Sequence, residues 1–344
     1  MIDDIIANSR ALLSSPPRAE MYPYFPDLIE HAQASFPDVK LPEVIIVYSL
    51  NKTCETFTYG TSQYIVYDQY LGQAFNKFNR LVYHEDLVES RAYLYKLIGE
   101  EYFLINQSRN SALYLLCHDI NKKAKLSDLP PEFLDKKTQL IVVQEAFVLF
   151  HEIAHNLISA NPDLLLRAIT FLEQNRAARL AMSGVLDFDK GKGIIDLNHC
   201  HEELASDFLA LEFTYTFFSK DKGSYSKGNI IEGICLAFLY MRTLLDMRLK
   251  ANGTFSSSEN PYHLFNRLRY NLMRGYWIST ELFKESKTDP MLLVETYEKW
   301  EEKIDMEVVG FLDEENREKL LKIFEGKGHL LTKSLAIKML NLRE

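Results

Sequence analysis

The sequence predicts an α+β fold in which a small N-terminal sheet precedes a mostly helical body. Two runs of β-branched and aromatic residues, "EVIIVYS" (Glu43 to Ser49) and "SQYIVYD" (Ser62 to Asp68), are the only strong strand signals in the chain. From Gln69 onward, apolar residues recur at three- and four-residue intervals, the spacing that lines one face of a helix. With 47% hydrophobic and 25% charged residues over 344 positions, the chain can bury a sizeable core as one large domain or two intimate lobes. The division expected is an N-terminal lobe over residues 1–160, with short helices, the sheet and a helical insertion, and a helical C-terminal lobe over residues 161–344.

Within the first 40 residues, proline-rich breaks ("SSPPR", "YPYFPD", "FPDVKLPE") separate short helices, because proline fixes φ and removes a backbone donor. The connection "CETFTYGT" between the two strand runs has room for a third strand, which makes the sheet antiparallel in part. "SQYIVYD" is the strand expected at its exposed edge. The segments "QYLGQAFNKFNRLVY", "ESRAYLYKLIGEEYFLI" and "SALYLLCHDINKKAK" then read as helices, and "LSDLPPEFLD" interrupts them. A long helix is expected from about Lys137 to Ser159, stopped by "NPD" at Asn161 to Asp163. "SGVLDFDKGKGIIDLN" reads as a Gly- and Asp-rich loop leading into a helix that begins near His199. Four or five further helices complete the chain, without internal repeat or low-complexity tract.

Composition narrows the classes of function. The 39 basic against 48 acidic residues give a formal charge of -9 with no dense Lys/Arg stripe, which argues against a nucleic-acid partner. Four scattered cysteines, with no C-x-x-C pair, read as reduced thiols in a cytoplasmic protein. The opening "MIDDIIANSRALLSSPPRAE" places acids where a secretory leader needs basic residues. The longest apolar run, "GICLAFLYM", is about half of the roughly 20 residues that span a bilayer, so a buried helix and no membrane partner are expected.

One stretch carries chemistry. "FHEIAHNLI", Phe150 to Ile158, sets His151 and His155 one helical turn apart, so both imidazoles can aim at a single point. Apolar neighbours such as Phe147, Phe150, Ala154 and Leu157 put that face in the interior, where uncompensated polar groups would be costly. A zinc ion suits the pair, since it accepts imidazole nitrogen and in catalytic sites keeps three protein ligands and one open position. Glu152 projects about 100° around the helix from His151. From there it can reach a water as general base without competing as a ligand.

Two imidazoles leave zinc one ligand short. A glycine and a third histidine shortly after the motif would complete one known type, but Ile158 and Asn161 occupy those positions. A glutamate followed four residues later by an aspartate on a downstream helix would complete another, and "HEELASDFLALEF" supplies Glu203 and Asp207. On these residues the chain resembles the gluzincin class of zinc metallopeptidases, whose Glu-x-x-Ala-Asp-x-x-Ala pattern is matched by "ELASDFLA" with Ser206 in place of the first alanine. The resemblance covers roughly Gln144 to Phe213. It implies a zincin-like fold, Zn2+ held by His151, His155 and Glu203, Glu152 as catalytic base, Asp207 orienting a liganding histidine, and a protein or peptide substrate. His199, Cys200, His201 and Glu202 are local rivals for the third ligand; Glu203 is preferred because it shares a face with Asp207.

A second, weaker similarity lies in "ENPYHLFNRLRYNL", where related gluzincins carry a His-Pro pair and a later arginine; here Asn260 takes the histidine's place. His263 and Arg267 are candidates for transition-state or substrate-carboxylate contacts, and Tyr262 and Tyr276 for donating a hydrogen bond to a developing oxyanion. The motif's position near the middle of the chain is also similar to bacterial phage-exclusion proteases. The long insertion between Asp68 and the motif, with the large helical tail, fits a protease specific for one intracellular protein, in a defence or toxin role. The competing expectation is a non-enzymatic helical interaction protein whose metal motif is vestigial or structural.

Overall fold

The computed structural model describes residues 21–83, 87–121, 131–189, 196–220, 225–252 and 261–279, with Glu295, Glu298 and Glu302 alone beyond them. Helix α1 (Phe25–Ser35) has proline in its first turn and buries Phe25, Leu28 and Ala32, one stripe of an amphipathic helix. Strands β1 (Glu43–Val47), β2 (Cys54–Tyr59) and β3 (Ser62–Asp68) form a sheet in the order β1-β3-β2. β1 runs parallel to β3, and β2 pairs with it antiparallel, closing a hairpin between Tyr59 and Ser62. Gly60 at the tip has φ 61°, the left-handed conformation that such a two-residue loop requires.

The sheet corrects one expectation. "SQYIVYD" is the central strand rather than the exposed edge, with Tyr64 to Asp68 all buried, while β2 is an edge in which only Cys54 is buried. An unbroken apolar run marks a strand covered on both faces, and that criterion decides between the two. At the end of β3, the buried Asp68 carboxylate accepts from the backbone N–H groups of Ser49 (2.9 Å), Lys52 (2.8 Å) and Tyr70 (2.9 Å), tying the β1–β2 connection to the next helix. Lys52 is itself buried against Glu101 (2.8 Å).

Helices α2 (Gln69–Tyr83), α3 (Leu87–Leu104) and α4 (Ser108–Asn121) follow the periodic segments closely. Helix α5 (Pro131–Ala160) spans 30 residues, about 45 Å. It starts inside "LSDLPPEFLD" instead of after it, because proline at the first helical position loses no intrahelical bond. Every residue from Val143 to His151 is buried, so α5 is the axis of the molecule, packed on β2, α1 and α2 and on two later helices. Leu134–Ala160 is long and apolar enough to cross a membrane, but 78% of its most apolar window is buried within the fold. Asn161 stops the helix: its side chain accepts from Asp163 N, and Pro162 begins a short 3-10 turn.

The rest of the described chain comprises α6 (Leu165–Gln174), α7 (Arg176–Asp189), α8 (Leu197–Lys220), α9 (Lys227–Ala251) and α10 (Pro261–Ser279). Here the expected Gly- and Asp-rich loop is shorter than the sequence suggests. α7 continues through Ser183 to Asp189, since Ala178, Met182 and Val185 form a buried stripe at helical spacing. The loop's last residues, Leu197 and Asn198, already belong to α8, while residues 190–195 and the body of the helices expected after Ser279 lie outside the described residues. Among the described residues the architecture is therefore α+β, a three-stranded sheet against a mostly helical body. All four cysteines are buried and none is joined by a disulfide.

Two close contacts around α5 yield tests. At Gly233 on α9, an added Cβ would sit 2.6 Å from Val143 Cγ1. Gly233→Ala should therefore lower stability by about 1–3 kcal/mol in a urea titration, because neither helix can retreat without opening the core. On the opposite side, Glu145 is buried against Gly72 and accepts from the hydroxyls of Tyr67 (2.8 Å) and Tyr24. Burial pushes its carboxyl up to about 7, partly offset by the tyrosine donors. The folded state thus holds a proton that the unfolded chain releases in the ordinary carboxylate range near 4.5. The stabilisation is complete below that range and disappears as pH rises through 7, a loss on the order of 3 kcal/mol. Unfolding free energies measured from pH 4.5 to 8 should fall in this way, and Glu145→Gln should flatten the slope.

Candidate metal centre

Helix α5 crosses α8 so that the turn bearing His151 and His155 faces the turn bearing Glu203 and Asp207. The two Nε2 atoms lie 3.1 Å apart. Glu203 Oε2 is 3.6 Å from Nε2 of His151, and its Oε1 is 3.5 Å from Nε2 of His155. Ligands at about 2.1 Å in a tetrahedral arrangement stand roughly 3.4 Å from one another, so each imidazole nitrogen has the other and one carboxylate oxygen near that distance, the two rings facing different oxygens of Glu203. Among the described residues, these three side chains are the histidine, cysteine and acidic groups whose ligand atoms converge, all within 4.8 Å.

The outward nitrogens of both rings face carboxylates. Asp207 Oδ1 is 2.9 Å from His151 Nδ1, an ion-pair approach without the alignment of an ordinary hydrogen bond. Glu202 Oε1 is 3.2 Å from His155 Nδ1. Each imidazole is thereby turned to present Nε2 inward, the arrangement that orients and strengthens a liganding histidine. Burial disfavours the charged form of His151, but Asp207 and Glu203 outweigh it and bring the ring to about 10. Burial also opposes ionisation of Glu203, yet Arg269 and the two histidines hold its carboxyl well below the usual range. Two imidazole nitrogens and a carboxylate oxygen, each backed by a charged partner, form a donor set that fits zinc.

Glu152 leaves the helix toward the sheet. Its Oε2 accepts from Thr56 N (2.8 Å) and Thr56 Oγ1 (3.0 Å), so the carboxylate is pinned to the outward edge of β2. Burial raises its pKa above the ordinary carboxylate value, opposed by His151 and His155. Its neighbour along the helix face, Asn156, donates to Gln63 at the start of β3, a second tie between α5 and the hairpin.

The residue that sequence reasoning missed is Arg269. Two residues beyond the candidate Arg267, it donates from Nε (2.8 Å) and Nη2 (2.7 Å) to Asp207, and its Nη1 is 2.8 Å from Glu203 Oε2. The side chains of Tyr262, His263 and Arg267 lie outside what is described, although α10 carries all three. Tyr276 is directed elsewhere: its ring stacks on Phe208 and its hydroxyl donates to Glu212 (2.6 Å). His199 stands at the rim, 3.9 Å from Glu203 Oε1, while Cys200 is fully buried.

Comparison with protein-family models, with curated proteins and with solved structures finds no match.

That geometry predicts graded losses. Glu203→Ala should remove stoichiometric zinc from dialysed protein, whereas Asp207→Ala should weaken zinc about 10–100-fold by releasing His151 from the acid that orients it. Chelator competition monitored by metal analysis distinguishes the two. Equal retention of zinc by both variants would contradict the ligand assignment.

Proposed function

We propose that the protein is a zinc-dependent metallopeptidase of zincin-like fold that hydrolyses peptide bonds of an intracellular protein substrate. The observation that carries this reading is the convergence of His151, His155 and Glu203, from two separate helices, with the carboxylate of Glu152, held by Thr56 through one oxygen, on the same turn of α5. A bound zinc ion would supply a water of near-neutral pKa and polarise the scissile carbonyl.

The chain's own residues divide the remaining work. Glu152 takes a proton from the hydrolytic water at its carboxylate and delivers it to the leaving amine. Its raised pKa suits both halves of that transfer. Thr56 fixes one oxygen of Glu152 and leaves the other for the water. The same residue belongs to the edge strand β2, whose outward backbone groups other than the Thr56 N–H can pair with an extended peptide. Pairing there would lay the peptide alongside the turn of α5 that carries His151 and Glu152.

Glu152→Gln separates this reading from that of a metal-stabilised scaffold. The zinc-loaded variant should keep about one ion per chain while its cleavage of a degenerate peptide library, followed by mass spectrometry, falls about 10²–10⁴-fold. Turnover equal to that of the unmodified protein would remove Glu152 from the chemistry. Absence of cleavage by the unmodified zinc-loaded protein, across both the peptide library and unfolded protein substrates, would favour the scaffold.

A further inference from the structure

We propose that Arg269 is a positioning residue that supplies part of the centre's positive charge before a metal ion arrives, keeping the ligands assembled in the empty protein. The inference rests on reading His151, His155 and Glu203 as a zinc site. One guanidinium reaches both the candidate ligand Glu203 and Asp207, the acid behind His151, at 2.7–2.8 Å. Its side chain is only 11% exposed, and that of Asp207 only 1%. A further bond from Nη1 to Asn266 Oδ1 (3.2 Å) and the ring of Phe238, 5.8 Å from the guanidinium carbon, hold the group in place.

Two carboxylates one helical turn apart repel each other in a buried setting, and without a cation between them they would splay. The planar fork of arginine spans both, whereas the point charge of a lysine reaches one at a time. Because Arg269 engages Oε2 of Glu203, it also limits how that carboxylate can turn toward the imidazoles. The arrangement is thus organised by a resident cation on Oε2 of Glu203, the oxygen that also faces His151.

The sign of the consequence separates this role from a purely structural one. Arg269 and a divalent ion are like charges sharing Glu203, so loss of the guanidinium weakens the empty protein and strengthens the site's attraction for the ion. A residue that merely packs the core would produce the first effect without the second.

The test compares the full chain with Arg269→Met and Arg269→Lys, using zinc competition against a chromogenic chelator and thermal unfolding with and without zinc. Arg269→Met should lower the metal-free Tm by about 5–10 °C. It should bind zinc at least about tenfold more tightly, so zinc raises its Tm further than it raises that of the unmodified protein. Arg269→Lys, which keeps the charge, should stay within about threefold of the unmodified zinc affinity. Unchanged or weaker zinc binding by a folded Arg269→Met protein would overturn the inference and leave the zinc site standing, as would a variant that stays unfolded in saturating zinc. Absence of zinc binding by the unmodified chain would instead remove the underlying reading, and this inference with it.

Discussion

The Asp207 carboxylate is buried at the crossing of α5 and α8, between His151 on one side and Arg269 on the other. A charge in that position is tolerable only while both partners are present, and breaking such a buried pair costs several kcal/mol. The crossing therefore has one acceptable register. A slip by one residue on either helix would turn the partners about 100° away from each other and leave Asp207 buried without them. Register, once set, also decides where Glu203 falls, because it lies one turn before Asp207 on the same face. Electrostatic pairing between helices thus fixes the geometry of the centre, and apolar burial fixes the helices themselves.

The sheet supports the same crossing from the far side. Thr56 on β2 bonds both the side chain and the backbone carbonyl of Glu152, so the edge strand is anchored to the turn that carries His151 and Glu152. Asp68, at the opposite end of the hairpin, gathers three backbone donors from the preceding connection and the following helix. The position of β2 beside the centre consequently follows from named polar bonds and from packing alike. The candidate base and the strand edge available to a peptide are parts of one construction.

Much of this was legible in the sequence, for reasons that differ from element to element. Helix α2 begins at Gln69, as its periodicity indicates, because period-2 and period-3.6 patterns meet there without overlap. The pairing of His151 with His155, and of Glu203 with Asp207, follows from helical spacing alone. The place of β3 was misjudged because strand order depends on pairing between distant segments, although its unbroken apolar run already marked a central strand. The helical extension of α7 was hidden by the glycine and aspartates that read as loop, although the Ala178, Met182 and Val185 stripe was present. Arg269 was indistinct for another reason. It shares "NRLRY" with Arg267, and only the three-dimensional meeting of α8 with α10 distinguishes the two. Glu202 was set aside as a ligand, and its contact with His155 Nδ1 reveals a different use for an adjacent acid.

The central claim is that two imidazoles and one distant carboxylate close on a common ion, and X-ray absorption at the zinc edge of the reconstituted protein tests it most directly. The account predicts an inner shell of nitrogen and oxygen only, at about 2.0–2.1 Å, with the outer-shell pattern of two imidazole rings. A sulfur contribution near about 2.3 Å, or a spectrum unchanged when His151 and Glu203 are replaced together, would contradict it.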